Sequence, residues 1–283
     1  MARRLARWVS AFGSLFLASL HARAAVPSPR AAAFPRRAVG ALTGSAFAAA
    51  TAALDDRARY ALAREEILAG NVPDFLRVWV PVTLRSAAHE ITVFVTPDYL
   101  AIGDDSDFLP IPLDFAEAAH VASTLGAALP TSRIVDAVYA AANLRLAPIP
   151  LPAGPEMRSM AYVLWHNQLV SAVRGTIAIG TLIAGDKKDV VLTGRLFEQP
   201  DREAIYGWHR PDGRPIQPLS LVHGRNYADY SHGIRLVGGV VIVDGAEVPY
   251  LDALADPELA PILSAEGVIH DAAALLAGAI RGR

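Results

Sequence analysis

The chain has 283 residues, which is enough for one large domain or two small ones with a substantial hydrophobic core. Hydrophobic residues make up 53% and charged residues 19%, so the composition is that of a globular protein rather than a disordered one. The formal net charge of −2 provides no basic surface for nucleic acid, and the absence of cysteine excludes disulfides, thiolate metal sites and a cysteine nucleophile.

The first 24 residues have the pattern of a secretory signal peptide. Three arginines precede an apolar stretch from Trp8 to Leu20, and small residues at Ala22 and Ala24 match a cleavage site. Residues 25–44 are rich in alanine, proline and arginine, which predicts a flexible leader. We therefore expect a secreted or periplasmic bacterial protein; an amphipathic helix or an uncleaved anchor is the alternative. No uncharged apolar run of about 18 residues follows, so no transmembrane segment is predicted after cleavage.

Residues 45–147 are predicted to form an N-terminal part that combines helices with a small sheet. Apolar residues at helical spacing predict helices at Ser45–Leu68, Leu113–Leu129 and Ser132–Leu144. Asp114 is the expected N-cap of the second helix, and Thr131 or Ser132 that of the third. β-branched and aromatic runs predict strands at Phe75–Leu84 and Glu90–Thr96. Pro81 indicates that the first of these strands is an edge strand or carries a bulge.

Residues 148–283 are predicted to form a C-terminal, β-rich part. The proline-rich segment Pro148–Pro155 is stiff and extended, and it is the predicted seam between the two parts. A helix is expected from Pro155 to about Val173. From Thr176 onward, six short apolar runs alternate with turns, which predicts a mostly antiparallel β region closed by short terminal helices, with hairpin turns at Pro211–Arg214 and Asp244–Gly245. The pattern predicts an α+β fold, whose two parts either fold separately or form one domain.

Three of the eight histidines cluster in this β region, and they are the first candidates for catalysis. Neighbouring strands can bring His209, His223 and His232 together with carboxylates from other turns. We predict that His223 or His232 is a general base, oriented by Asp229 or Asp189, and that His209 belongs to the same catalytic cluster. Histidines that satisfy buried backbone groups or lie in turns are the alternative.

Aromatic and cationic side chains of the same region are the predicted ligand contacts. Stacking and carboxylate binding are assigned to Tyr206, Trp208, Tyr230, Lys187 and Arg235. Core packing of the aromatic residues and a simple charged turn around Lys187 are the alternatives.

The segment from Asp229 to His232 contains a serine next to a histidine, the two residue types of a nucleophile–base pair. If this segment is extended, alternation places Tyr230 and His232 on one face and Asp229 and Ser231 on the other. Ser231 and His232 are then not expected to act as a pair.

The stretch VHGRNYADYSHGIRLV resembles the catalytic stretch of L,D-transpeptidases, in which an HG pair precedes an S-H-G-C-[IV]-R sequence. His223-Gly224, Ser231–Gly233 and Ile234–Leu236 stand in the matching order. In that family a cysteine thiolate forms the acyl intermediate, and the corresponding cysteine is missing between Gly233 and Ile234. The resemblance therefore does not imply that reaction. Longer stretches such as GNVPDFLRVWVPVTL also resemble a family of exported bacterial proteins, which implies export but no particular reaction.

These observations lead to one main functional hypothesis and two alternatives. The main hypothesis is an exported, hydrolase-like protein that acts on an envelope or environmental glycan or peptide through a histidine/aspartate site. A non-catalytic periplasmic binding protein for a small-molecule or polymer ligand is the first alternative. The second is a metal hydrolase with three histidine ligands and a water, although the short H-E-x-x-H and H-x-H spacings are absent and no metal ligand or cofactor is assigned.

Overall fold

The computed structural model describes residues 34–281. The predicted signal peptide and the first part of the predicted leader lie outside these residues. From Phe34 onward the chain packs against the folded part, because Phe34 lies in the hydrophobic core. The Arg37 guanidinium donates hydrogen bonds to the Asn71 side-chain oxygen and to the Ala41 backbone oxygen, both at 2.8 Å.

Most helices begin where the sequence supplies a side-chain cap. In chain order the helices of the described residues are α1 (Gly44–Thr51), α2 (Asp56–Leu68), α3 (Phe115–Thr124), α4 (Ser132–Ala141), α5 (Met160–Arg174), α6 (Tyr250–Ala255), α7 (Ala260–Leu263) and α8 (Ala272–Arg281). Asp114 accepts a hydrogen bond from the Glu117 backbone at the start of α3. Thr131 accepts one from the Ile134 backbone at the start of α4. Both predicted caps are confirmed, because capping depends on residues three positions apart.

Several helix predictions need correction. The helices predicted to end at Leu129 and Leu144 end at Thr124 and Ala141, ahead of short strands. In two others a second cap inside the predicted span is the reason. The single helix predicted over Ser45–Leu68 is two helices, since the Asp55 side chain accepts a hydrogen bond from the Ala58 backbone and starts α2. The helix predicted from Pro155 begins instead at Met160 with Ser159 as its cap, after one 3-10 turn at Pro155–Arg158.

The strands are short, and they form two main sheets and two small ones. In chain order they are β1 (Val80–Arg85), β2 (Glu90–Val95), β3 (Ala101–Gly103), β4 (Phe108–Pro110), β5 (Ala127–Ala128), β6 (Leu144–Arg145), β7 (Ile183–Ala184), β8 (Lys188–Val190), β9 (Ile205–His209), β10 (Pro215–Ser220), β11 (His232–Gly233), β12 (Val237–Gly238), β13 (Val240–Val243) and β14 (Ala246–Pro249). The predicted strand at Phe75–Leu84 starts late, because Asp74–Arg77 forms a 3-10 turn before β1.

The six-stranded sheet takes strands from both sides of the predicted seam. Its order is β14-β13-β2-β12-β5, and β1 pairs with β2. Within residues 34–281, β2 is the only strand partner of β1, so Pro81 lies on an edge as predicted. Because β1 and β2 precede the proline-rich segment while β12 to β14 follow it, the two predicted parts share one sheet and one large hydrophobic core.

The four-stranded sheet has the order β10-β9-β8-β11 and carries most of the predicted site residues. The β9–β10 and β13–β14 hairpins turn where predicted, and Asp244 and Gly245 both have positive φ, at 50° and 92°. Two pairs depart from the antiparallel expectation, since β11 runs parallel to β8 and β7 runs parallel to β6. The fold is α+β, as predicted. No helix among residues 34–281 combines the length and apolarity that crossing a membrane requires.

Candidate functional site

The parallel pairing of β11 with β8 brings the two most polar segments of the sequence together. It sets His232 level with Lys188 and Gly233 level with Asp189. Only glycine fits at position 233, because a Cβ there would lie 2.5 Å from the Tyr99 ring and 2.7 Å from the Lys187 Cβ. Successive side chains of a strand point to opposite faces, so Lys188 and Asp189 lie on different sides of the sheet.

His232 is fully buried between two carboxylates. Its Nε2 lies 2.9 Å from Glu203 Oε1, and its Nδ1 lies 3.2 Å from Asp229 Oδ1 and 3.1 Å from the Asp229 backbone nitrogen. Burial by itself lowers the pKa of His232, but the charge of Glu203 and the hydrogen bonds to both carboxylates outweigh it and raise the pKa to about 9. The raised pKa favours the protonated ring at neutral pH, and its Nε2–H donates to the Glu203 carboxylate. Glu203 was not predicted from the sequence, because it lies in a loop 29 positions before His232.

Asp229 is the organising residue of the turn that leads into β11. Its Oδ1 accepts hydrogen bonds from the Ser231 backbone at 2.8 Å and from the Ser231 hydroxyl at 2.5 Å, and its Oδ2 accepts one from the Tyr227 hydroxyl at 3.0 Å. Burial raises the pKa of Asp229, but the hydrogen bonds and charge of His232 outweigh this and hold the pKa well below its ordinary value. The segment is a turn, with the His232 backbone donating to the Asp229 carbonyl, so the extended geometry considered from the sequence does not apply. Ser231 is fully buried and its hydroxyl is occupied by Asp229.

His223 lies above this buried triad and is partly exposed. Its ring stacks on the Tyr227 ring at 4.1 Å and 7°, and lies 6.0 Å from the His232 ring. The Arg158 guanidinium lies 5.4 Å from the centre of the same Tyr227 ring. Burial and the positive charge of His232 lower the pKa of His223, so its ring is mostly neutral at pH 7. Within the described part of the chain its ring nitrogens form no hydrogen bond, so one of them is free to accept a proton.

Lys188 completes this cluster, and it was missed in the sequence in favour of its neighbour Lys187. Its side chain is 8% exposed, and its Nζ lies 4.9 Å from the centre of the Trp208 ring. Lys188 is the register partner of His232, so the two side chains point to the same side of the sheet. No acceptor for its ammonium group is found among residues 34–281. The chain has only two lysines against many arginines, and that composition is the sequence signal that could have drawn attention to this residue.

The predicted catalytic residues thus separate into two groups. His223, His232 and Asp229 converge, whereas Asp189 and His209 lie on the other side of the sheet. Asp189 accepts a hydrogen bond from the Tyr99 hydroxyl at 3.0 Å, and burial raises the pKa of Asp189 to about 6. The His209 Nε2 lies 2.8 Å from a carboxylate that sequence reasoning did not select, Asp136 on α4.

The predicted ligand contacts separate in the same way. The Trp208 ring contacts the Lys188 ammonium, whereas the Tyr206 hydroxyl donates a hydrogen bond to Asp136 at 2.9 Å on the other side of the sheet. The remaining three are buried and bonded to the protein. The Lys187 Nζ donates to the Tyr230 carbonyl at 2.6 Å, the Tyr230 hydroxyl accepts from the Leu151 backbone at 2.7 Å, and the Arg235 guanidinium donates to the Thr96 and Ile183 carbonyls, both at 2.7 Å. These contacts hold the fold together and give no support to ligand binding by Lys187, Tyr230 or Arg235.

The metal-site alternative gains no support from the arrangement of side chains. Among residues 34–281, no three or more histidine, aspartate or glutamate side chains are grouped so as to hold a metal ion. The three histidines predicted to cluster are divided between the two sides of the sheet.

Comparisons with protein-family models, with curated proteins and with solved structures find no match to this chain.

Proposed function

We propose that the protein is a hydrolase in which His223 is the general base and Lys188 stabilises the negative charge that develops on the substrate. One observation carries this proposal. The His223 ring lies 6.0 Å from the ring of His232, which is the register partner of Lys188, and the Lys188 ammonium has no acceptor among the described residues. Attack of water on a carbonyl requires a base that removes a proton from the water and a positively charged group that stabilises the oxyanion.

In the proposed reaction, His223 removes a proton from a water molecule while the water oxygen attacks the substrate carbonyl carbon. The carbonyl oxygen takes up the electron pair, and Lys188 stabilises the resulting oxyanion. The tetrahedral intermediate then collapses, the carbon–nitrogen bond breaks, and the imidazolium of His223 returns its proton to the leaving amine. The stack on Tyr227 fixes the ring plane of His223, and the buried triad of Glu203, His232 and Asp229 anchors Tyr227 through its hydroxyl.

The geometry favours a peptide over a glycan as the substrate. Glycoside hydrolysis commonly needs two carboxyl groups that reach opposite sides of the bond. Glu203 and Asp229 are at most 1% exposed and both are bound to His232, while Asp189 is buried on the other side of the sheet. An amide bond requires only the base and the oxyanion partner. Together with the expected export, this favours an envelope or environmental peptide.

The test uses the full chain and peptides released from bacterial peptidoglycan, with new amino groups and new reducing ends measured in parallel. We expect new amino groups, and a loss of roughly 100-fold to 10,000-fold in kcat/KM for His223→Gln, because a general base contributes about that factor. The matched control is His270→Gln, since His270 is exposed and distant in sequence. The pH profile should show an acid limb below pH 6.5, because protonation of His223 removes the base.

An unchanged rate in His223→Gln would remove the proposed base. Lys188→Met is expected to reduce kcat more than it raises KM, because the ammonium acts on the oxyanion rather than on the ground state. Recovery of the processed chain from the periplasm, with an amino terminus near residue 25, would test the expected export separately.

A non-catalytic binding protein is the second candidate, because the ammonium of Lys188 could equally receive a carboxylate of a bound peptide. In that case peptides bind to the full chain without turnover, and His223→Gln binds them as well as the natural chain does.

A further inference from the structure

A second cleft lies on the other side of the four-stranded sheet, between α4 and the β9–β10 hairpin. It has a volume of about 380 Å³, and its polar lining consists of Asp136, Tyr139, Arg145, Tyr206, His209, Asp212 and Arg214. None of these residues belongs to the hydrolytic site proposed above. The cleft is therefore a separate candidate for ligand binding.

The backbone of β9 is distorted in a way that builds this cleft. Residues 206 and 209 would lie on opposite faces of a regular strand, because side chains alternate. Gly207 and Trp208 have φ values of 111° and 57°, and left-handed φ is a rare conformation for tryptophan. The distortion brings Tyr206 and His209 to the same carboxylate, while Trp208 faces Lys188. Strain of this kind persists only where surrounding contacts enforce it, and it is concentrated at functional sites.

Asp136 is held in one orientation but remains accessible. Its carboxylate accepts hydrogen bonds from the Tyr206 hydroxyl at 2.9 Å and from the His209 Nε2 at 2.8 Å, yet its side chain is 51% exposed. The Tyr139 ring stacks on the His209 ring, with 4.5 Å between the ring centres and an interplanar angle of 16°. An ionised carboxylate has about four lone-pair positions, so acceptor capacity remains for a ligand.

The charges around the cleft restrict the class of ligand. Arg145 and Arg214 lie on its walls together with Asp212, whose carboxylate is paired with the Arg214 guanidinium at 2.8 Å. Arg145 has no carboxylate partner among the described residues, and its positive charge opposes an ammonium ligand. The negative charge of Asp136 opposes an anion. A neutral ligand with several hydroxyl groups is repelled by neither charge. Its hydroxyls can donate to the carboxylate and accept from the guanidinium groups.

From this arrangement we infer that the cleft binds a neutral sugar unit, with Asp136 accepting hydrogen bonds from sugar hydroxyls and Tyr206 contacting the sugar ring. The site is independent of the proposed hydrolysis. It would allow the protein to hold a glycan strand while the opposite side of the sheet acts on another part of the polymer.

The experiment is titration calorimetry of the full chain with three neutral tetrasaccharides: chitotetraose, cellotetraose and maltotetraose. We expect saturable binding of at least one of them. Asp136→Asn should weaken it roughly tenfold or more, because a charged acceptor is lost, and Tyr206→Phe should weaken it less. The matched control is Asp252→Asn, which changes an exposed aspartate on α6 and should leave the affinity unchanged.

Absence of saturable binding to all three sugars by the natural chain would overturn the inference. Equal affinities for the natural chain and Asp136→Asn would also overturn it, because the sugar would then bind elsewhere. Thermal unfolding of each variant verifies that the fold is intact. His223→Gln should bind sugar normally, so failure of the sugar site and failure of the proposed hydrolysis can be told apart.

Discussion

Two adjacent lysines have opposite environments: the Lys187 ammonium is hydrogen-bonded to the protein, and the Lys188 ammonium is not. The Lys187 ammonium donates to the Tyr230 carbonyl and lies 3.1 Å from the His166 Nδ1. The Lys188 ammonium lies over Trp208 and has no hydrogen-bond acceptor among the described residues. Lysine differs from arginine in being a compact charge on a flexible stem whose pKa shifts readily when it is buried. Burial lowers the pKa of Lys187 to about 8, which is a structural consequence rather than evidence of catalysis.

We predict that Lys187→Met destabilises the protein more than Lys188→Met does. Loss of the Lys187 ammonium leaves a buried carbonyl and a buried imidazole without their partner, which costs about 1–3 kcal/mol. Loss of the Lys188 ammonium removes one cation–π contact, worth about 1 kcal/mol or less. Urea denaturation of both variants measures the difference. Equal losses would mean that Lys188 has a structural partner after all.

The protonated His232 makes the stability of the protein depend on pH. Its folded-state pKa is raised to about 9 from an ordinary value of 6.5, so the folded state binds more protons between these values. The stabilisation is fully present below pH 6.5 and is lost as pH rises through 9. Between pH 6.5 and 8 the free energy of unfolding should fall by at most about 1.4 kcal/mol per pH unit. Above pH 8 the lowered pKa of Lys187 acts in the opposite direction.

Denaturant titrations at several pH values between 6.5 and 8 measure this slope. Glu203→Gln should flatten it, because the charge of Glu203 is the largest influence that raises the pKa of His232. The same variant should lose about 3–5 kcal/mol at pH 6.5, as expected when one partner of a buried ion pair is removed. Glu198→Gln is the control, since Glu198 is exposed and pairs with no histidine among the described residues. A natural chain of constant stability over this range would refute the imidazolium state of His232.

At the scale of single elements, β9 shows most clearly how a strand can be predicted while its side chains are not. The run EAIYGWH predicts a strand, and β9 is indeed one. Regular alternation would place Tyr206 and Trp208 on one face and His209 on the other. Left-handed φ at Gly207 and Trp208 instead brings Tyr206 and His209 to one side and leaves Trp208 on the other. No local sequence pattern predicts a tryptophan with positive φ.

We predict that Gly207→Ala destabilises the protein by about 1–3 kcal/mol, because position 207 has a φ of 111° that side chains other than glycine rarely adopt. A Cβ there would also lie 3.3 Å from the Val135 Cγ1 and 3.5 Å from the His209 Cε1. Gly213→Ala in the adjoining hairpin turn is the matched control. Its φ is 85° but nothing lies within 4 Å of the added Cβ, so it should lose only about 1 kcal/mol. Equal losses in thermal unfolding would show that the contacts around position 207 are unimportant.

Caps and hairpin turns were predictable at this scale, whereas the shortest strands were not. Asp114, Thr131 and the Asp244–Gly245 turn act on residues within a few positions, so the signal is local. β7 was predicted as part of a longer strand but covers only Ile183–Ala184, because its length depends on how far β6 runs beside it.

At the scale of the whole molecule, β2 ties the two predicted parts into one sheet. It pairs with β1 from the N-terminal part and with β12 and β13 from the C-terminal part. The proline-rich segment from Pro148 to Pro155 therefore joins two parts that share one large core. Leu151 lies in that core, and Ile149 packs against a small second cluster.

We predict one cooperative unfolding transition for the full chain. Neither part can keep its share of the central sheet without the other, so the midpoints by tryptophan fluorescence and by far-UV circular dichroism should coincide. Trp79 lies before the proline-rich segment and Trp208 after it, so the fluorescence reports on both parts. Two separate transitions in urea would contradict the shared core.

The sequence by itself determined the α+β class, the helix caps, the edge position of Pro81 and the hairpin turns, because each depends on residue type and on neighbours a few positions away. It also selected His223, Asp229 and His232, which the fold brings together. Only the tertiary structure decided that Glu203 contacts His232, that Lys188 is the register partner of His232, and that His209 contacts Asp136. These relations arise from the parallel pairing of β8 with β11 and from the distortion of β9. Both bring together groups distant along the chain, and a local pattern contains no information about such pairs.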